Sequence, residues 1–163
     1  MSLYQILVFI HLLLFVFWLG GDLGVAILGE HFRKRAYSMQ ERLTILKLLV
    51  INDLGPRAAW ALMVPITISM LAAGGYWNAP LWTAGIAWIV GAYWLWLIFK
   101  SHSLGQDPKA KPLKSQEFWL KIVLCVFYLG LGSLSLLKNA PLIENWLALK
   151  ALMFGIIFAA ATM

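Results

Sequence analysis

Five apolar blocks of about 17 to 27 residues, set apart by polar stretches, restrict this chain more than any motif in it. A helix rises ~1.5 Å per residue, so about 20 such residues cross the ~30 Å hydrocarbon of a bilayer. Of the 163 residues, 62% are hydrophobic and 12% charged, against roughly 25% charged in soluble domains. Little chain is left for a separate soluble catalytic domain, which excludes a Rossmann or barrel enzyme. A nucleic-acid reader is excluded despite the net charge of +6, because the basic residues sort by loop and form no groove-binding stripe. The expected fold class is all-α: a polytopic transmembrane helical bundle, a single integral membrane domain whose first partner is the lipid bilayer.

The spans are expected over residues 3–29, 56–73, 81–99, 118–137 and 146–163. Ser38-Met-Gln-Glu41 fits a capping box opening a short amphipathic helix over 39–52. Its Arg42 and Lys47, set among leucines and isoleucines, suit the membrane interface better than a crossing. Asp53-Leu-Gly55-Pro56 reads as a chain break, with Pro56 opening the second span and Pro65 kinking it near its middle. Residues 101–117, with Gly105, Pro108 and Pro112, read as a solvated loop. The first span follows no basic leader and shows no small-residue cleavage site, so it is expected to stay in the mature protein. The still-apolar residues 154–163 suggest a sequence cut short, or a last helix ending at a partner or at the far interface. Cys125, the single cysteine, permits no intramolecular disulfide and reads as packing.

Eleven of the thirteen Lys and Arg residues fall in or beside the stretches after the first and third spans. The positive-inside rule makes that side cytoplasmic and puts the N-terminus outside.

Ionisable groups cost about 2.5 to 3.5 kcal/mol inside a span, so His11, Asp22 and Lys150 each require a reason. His11 lies roughly 12 Å below the outer end of the first span and Lys150 roughly 6 Å below the same face. His11, Phe15, Trp18 and Asp22 repeat at i, i+4, i+7 and i+11, which puts them on one stripe expected to face the bundle. Arg57, at the inner start of the second span, is the expected ion-pair partner of Asp22; a proton relay is the sharper reading of that carboxylate. Gly20-x-x-x-Gly24 permits close packing. A histidine in an apolar bundle either bonds to a neighbouring helix or serves as an axial ligand to haem iron. For the second reading Trp18 could pack on the porphyrin, Gly130 and Gly132 could admit it, and Lys150 lies at similar depth. Met63 and Met70 could add a sixth ligand but read first as packing. His31 and His102 lie about 20 Å away and read as loop residues.

The segment Phe9-Ile-His11-Leu-Leu-Leu-Phe-Val-Phe-Trp18-Leu-Gly20-Gly21 resembles the first helix shared by two bacterial membrane families, the haem-pathway membrane protoporphyrinogen oxidases and the copper-resistance protein D group. Trp146-Leu-Ala-Leu-Lys150 resembles the Trp-Leu-x-x-Lys start of a later helix in the oxidase family. The resemblance covers about 35 residues. It implies a bacterial membrane protein with a haem on His11 and a functional lysine at Lys150; with the basic residues cytoplasmic, the expected location is the bacterial inner membrane with the N-terminus periplasmic and haem b as the cofactor. Two spans and a long basic loop separate the matching helices, more than the oxidase layout contains, so shared haem-bundle ancestry is better supported than oxidase activity.

The expected role is therefore that of a b-type haem protein acting in electron transfer or haem-linked oxidation. Two alternatives come from other classes. One is transport of copper or another small ion along Asp22 and His11, although no Met-x-x-Met, Cys-x-x-Cys or His-x-His favours copper. The other is a structural subunit, in a homo-oligomer or beside a partner membrane protein.

Overall fold

The computed structural model describes residues 2–160 and 162. Five helices follow one another: α1 (Leu3–Arg33), α2 (Met39–Ala73), α3 (Trp82–Leu104), α4 (Ala110–Lys138) and α5 (Asn145–Ala160). The first four are long and apolar enough to cross a membrane. At 16 residues, α5 is about 24 Å long. The fifth span expected from the sequence also included residues 161 and 163, which lie outside the described residues.

Two sequence expectations are corrected. The short helix over 39–52 and the second span are one 35-residue helix, with Pro56 and Pro65 in its interior. Its start is as expected: the Ser38 side chain accepts from the Glu41 backbone and Glu41 reaches back to Ser38. The break at 53–56 does not form because Pro56 deprives only the Asn52 carbonyl of its helical donor, and α1 supports the site from outside. Gly21 lies directly against the Pro56 ring, and the Asn52 amide donates to the Gly21 carbonyl at 3.1 Å. Gly91 of α3 accommodates Pro65 in the same way. Membrane helices tolerate proline where a neighbour supports the freed backbone in this manner.

The second correction concerns residues 101–117, most of which are helical. α3 runs on to Leu104 and α4 begins at Ala110. Gly105, at φ +57°, ends α3 in a conformation that disfavours any side chain. Asp107 then organises the turn, its carboxylate accepting from the Lys109 amide at 2.8 Å. Pro112 sits in the first turn of α4, where its missing N–H removes no helical bond.

Each helix packs on the next in sequence, α1 on α2 through to α4 on α5. The core lies among α2, α3, α4 and α5, around Trp60, Trp94, Leu124, Tyr128 and Phe158. α1 is peripheral, with Leu7 its one buried residue among those described. At one end the two turns over 74–81 and 139–144 are joined: Asn78 N–H donates to the Pro141 carbonyl at 2.8 Å, and Trp77 bridges to Leu142. The opposite end carries the basic connections, and α2 and α5 meet through the Trp60 and Phe158 side chains, with no Cα pair within 8 Å among the described residues.

The glycine spacing on α1 is also refined. Gly21 and Gly24, not Gly20 and Gly24, face α2; a Cβ at Gly21 would lie 2.2 Å from Pro56 Cγ, while Gly20 has open space. Because the proline ring cannot move aside, Gly21→Ala is expected to cost about 1–3 kcal/mol by overpacking. Gly20→Ala is expected to leave stability unchanged. Thermal unfolding of both variants in mild detergent checks the contrast.

Candidate functional site

Three groups of polar and aromatic side chains are stacked along the bundle. The first surrounds His11. This residue lies eight positions into α1, and Thr67 six positions before the end of the antiparallel α2, so both are roughly 10 Å from the joined turns. Their side chains meet, His11 Nδ1 and Thr67 Oγ1 being 3.2 Å apart. The imidazole is half-buried. Lys150 of α5 is exposed and holds its ammonium 4.6 Å above the Trp146 ring.

One layer deeper, six aromatic rings join all five helices. Trp18 stacks nearly parallel on Trp60 at 5.9 Å and meets the edge of Phe154 at 6.0 Å. Trp60 stacks in turn on Phe158 at 4.5 Å and leans on Trp94 at 5.8 Å. Tyr128 closes the group against Phe154 and Phe158. These rings fill the seam that the α2 and α5 backbones leave open. They also attach α1 to α5, for the two backbones have no Cα pair within 8 Å among the described residues.

The third group lies toward the basic end. Glu117 on α4, only 4% exposed, accepts from the Arg57 guanidinium of α2, from Lys121 at 3.3 Å and from the Trp94 indole of α3 at 3.5 Å. Arg57 also reaches Asp53 at 3.5 Å. Two cations and two carboxylates thus balance in a place where an isolated charge would be costly. Two buried donors, Arg57 Nε and Trp60 Nε1, have no partner among the described residues.

The residues singled out in the sequence divide accordingly. His11 and Trp18 lie on the stripe expected for them, and Trp18 does turn into the bundle. Asp22 does not: it is exposed, and Arg57 is taken by Asp53 and Glu117 rather than by Asp22, correcting the expected pair. The reason is geometric. Asp53 is one turn before Arg57 on the same helix, and Glu117 is buried opposite it. Gly130 opens away from the bundle with nothing within 4 Å of where its Cβ would be, and α4 has no backbone contact with α1 among the described residues. Gly132 is filled by Leu152 and the Ala148 carbonyl, a close approach of α4 and α5. Neither glycine is brought to His11. Met63 is buried in the core.

Glu117 is the residue the sequence reading missed, having been assigned to a loop. The available signal was its i, i+4 spacing to Lys121, matched by Asp53 to Arg57 at the start of the other apolar run. Among the described residues no three His, Cys, Asp or Glu side chains converge on a bare metal ion.

These features define a class: an all-α bundle with four helices able to cross a membrane. No family model matches the chain, and neither a curated protein nor a solved structure is significantly similar to it.

Proposed function

We propose that this chain is a bacterial inner-membrane protein that binds a b-type haem through His11 and serves in electron transfer or haem-linked oxidation. The observation that carries the reading is the His11–Thr67 contact. A histidine that ligates a metal donates its other ring N–H to an oxygen, which fixes the tautomer and turns the remaining lone pair outward. With Nδ1 engaged by Thr67, Nε2 is the nitrogen left to ligate. The residues present fit the group: haem needs one axial imidazole from the protein, whereas a bare metal ion needs a converging donor set.

Around that ligand, Lys150 offers a cation for a propionate or for a substrate carboxylate, and Trp18 forms an aromatic floor one layer deeper. Bound haem would supply a one-electron iron couple. The protein residues would hold the imidazole, exclude water and neutralise the carboxylates.

Optical absorption of the detergent-extracted protein, expressed with haem supplied, tests this. A Soret band is expected, and His11→Ala is expected to abolish it. Thr67→Val, which removes the hydroxyl and keeps the shape, is expected to weaken haem binding about 10- to 100-fold. A colourless protein, or a band unchanged by His11→Ala, overturns the proposal. Colourless protein whose ion uptake disappears with Asp22→Asn would instead favour transport.

A further inference from the structure

The α1–α2 hairpin is longer than the hydrocarbon it would cross. α1 and α2 extend about 46 and 52 Å and α4 about 44 Å, against about 34 Å for α3 and about 30 Å of hydrocarbon. At the joined turns the hairpin is flush with the bundle, since Tyr4 packs on Tyr76 and against Gly74. The surplus therefore projects at the basic end as a two-helix arm over residues 24–52. No residue in that arm is buried, and Ile27, Leu43, Leu48 and Ile51 are each about half exposed or more. Beyond the hydrocarbon, a surface so apolar requires a covering.

Charge indicates which. The arm carries Arg33, Lys34, Arg35, Arg42 and Lys47 against two carboxylates, and both carboxylates are already engaged within it. Glu41 bonds to Ser38 and Glu30 pairs with Lys34 at 4.0 Å. Arg42 folds back on the Phe32 carbonyl at 2.9 Å and over the Phe32 ring. Arg33, Arg35 and Lys47 are exposed and have no acidic partner among the described residues. Gly20 of α1 and Gly55 of α2, each with open space where a Cβ would be, flank a groove of about 390 Å³ where the arm leaves the bundle, while Gly21 against Pro56 and the Asn52 bond to the Gly21 carbonyl keep the two helices together at that level.

We propose that this arm is a lipid-docking element. It tilts as one unit about the level of Gly20 and Gly55, lays an apolar side on an anionic phospholipid surface, and sets Arg33, Arg35 and Lys47 on headgroup phosphates. Juxtamembrane Lys and Arg clusters are drawn to anionic leaflets in this way, within a Debye length.

The test uses the full chain with Cys125→Ala and Leu43→Cys, labelled with an environment-sensitive dye and placed in nanodiscs of phosphatidylcholine alone or mixed with phosphatidylglycerol. Blue-shifted emission and quenching by spin-labelled lipid are expected only with phosphatidylglycerol, and both should be lost in high salt or with Arg33→Glu, Lys34→Glu and Arg35→Glu together. A second measurement needs no variant: trypsin cleavage at Arg33 to Arg35 of the unaltered protein should slow in the anionic discs. Equal emission and equal cleavage in the two lipids overturn the proposal. So does a shift that follows protein-to-disc ratio, which would assign the arm to a second copy, or one already complete in detergent.

Discussion

Glu117→Ala will lower the stability of the bundle by about 3 kcal/mol, at the lower end of what removing one partner of a buried ion pair costs. In thermal unfolding in mild detergent this corresponds to roughly 6 to 12 °C for a chain of this size. The loss arises less from the missing carboxylate than from what it leaves behind. Arg57 and Lys121, each less than a third exposed, lose their common acceptor, and the Trp94 indole loses the oxygen it donates to. Replacing the whole hub separates this mechanism from simple packing. Arg57→Met, Glu117→Leu and Lys121→Met together remove both cations along with the carboxylate, and Asp53, a third exposed, retains access to the surface. That triple variant is expected to be as stable as the parent or more so, because an apolar set of similar volume avoids the desolvation penalty. If Glu117→Ala unfolds within 1 °C of the parent, the hub does not hold α2, α3 and α4 together.

The same hub shows why sequence reading succeeded in some places and failed in others. The apolar blocks were legible because crossing length and composition are local properties, and each of the five forms a helix among the described residues, the last as far as Ala160. The capping box at Ser38 was legible for the same reason: its donors and acceptors lie three residues apart. What failed depended on partners distant in sequence. Pro56 reads as a helix start when α2 is considered alone, and it becomes an interior residue only because Gly21 of α1 lies on it. Glu117 sits among Lys114, Ser115 and Gln116, a polar run typical of a loop. Its burial is decided by Arg57, sixty positions earlier, and by Trp94 on a third helix. Asp22 and Arg57 were matched by depth, which fixes height along the membrane normal but not direction around the helix. The His11–Thr67 contact belongs to the same category: depth placed His11 at the right level, but only the packing of α1 on α2 supplied its partner.

Trp60 sits at the centre of the aromatic layer, and the form of its loss bears on the proposed function. It is 6% exposed and touches rings from three other helices: Trp18, Trp94 and Phe158. Trp60→Ala is expected to cost about 3–5 kcal/mol, the range for truncating a buried aromatic. Trp60→Phe should cost less than half as much. It keeps a ring against Phe158 and removes the unpartnered indole N–H, whose burial opposes folding by about 1–3 kcal/mol. The two alanine variants, Trp60→Ala and Glu117→Ala, then lose comparable stability by different routes. Glu117 joins α2, α3 and α4 and has no hydrogen bond or ion pair to α1 among the described residues, whereas Trp60 is, with Phe154, one of the two rings on which Trp18 anchors α1 beside α5. If His11 on α1 and Lys150 on α5 hold one ligand between them, Trp60→Ala should lose haem at temperatures where the bundle is still folded, and Glu117→Ala should keep it until unfolding. Following the Soret band and the helical circular-dichroism signal in the same melt distinguishes the two. Coincident loss of both signals in both variants would mean that the aromatic layer supports the fold alone and has no part in positioning His11.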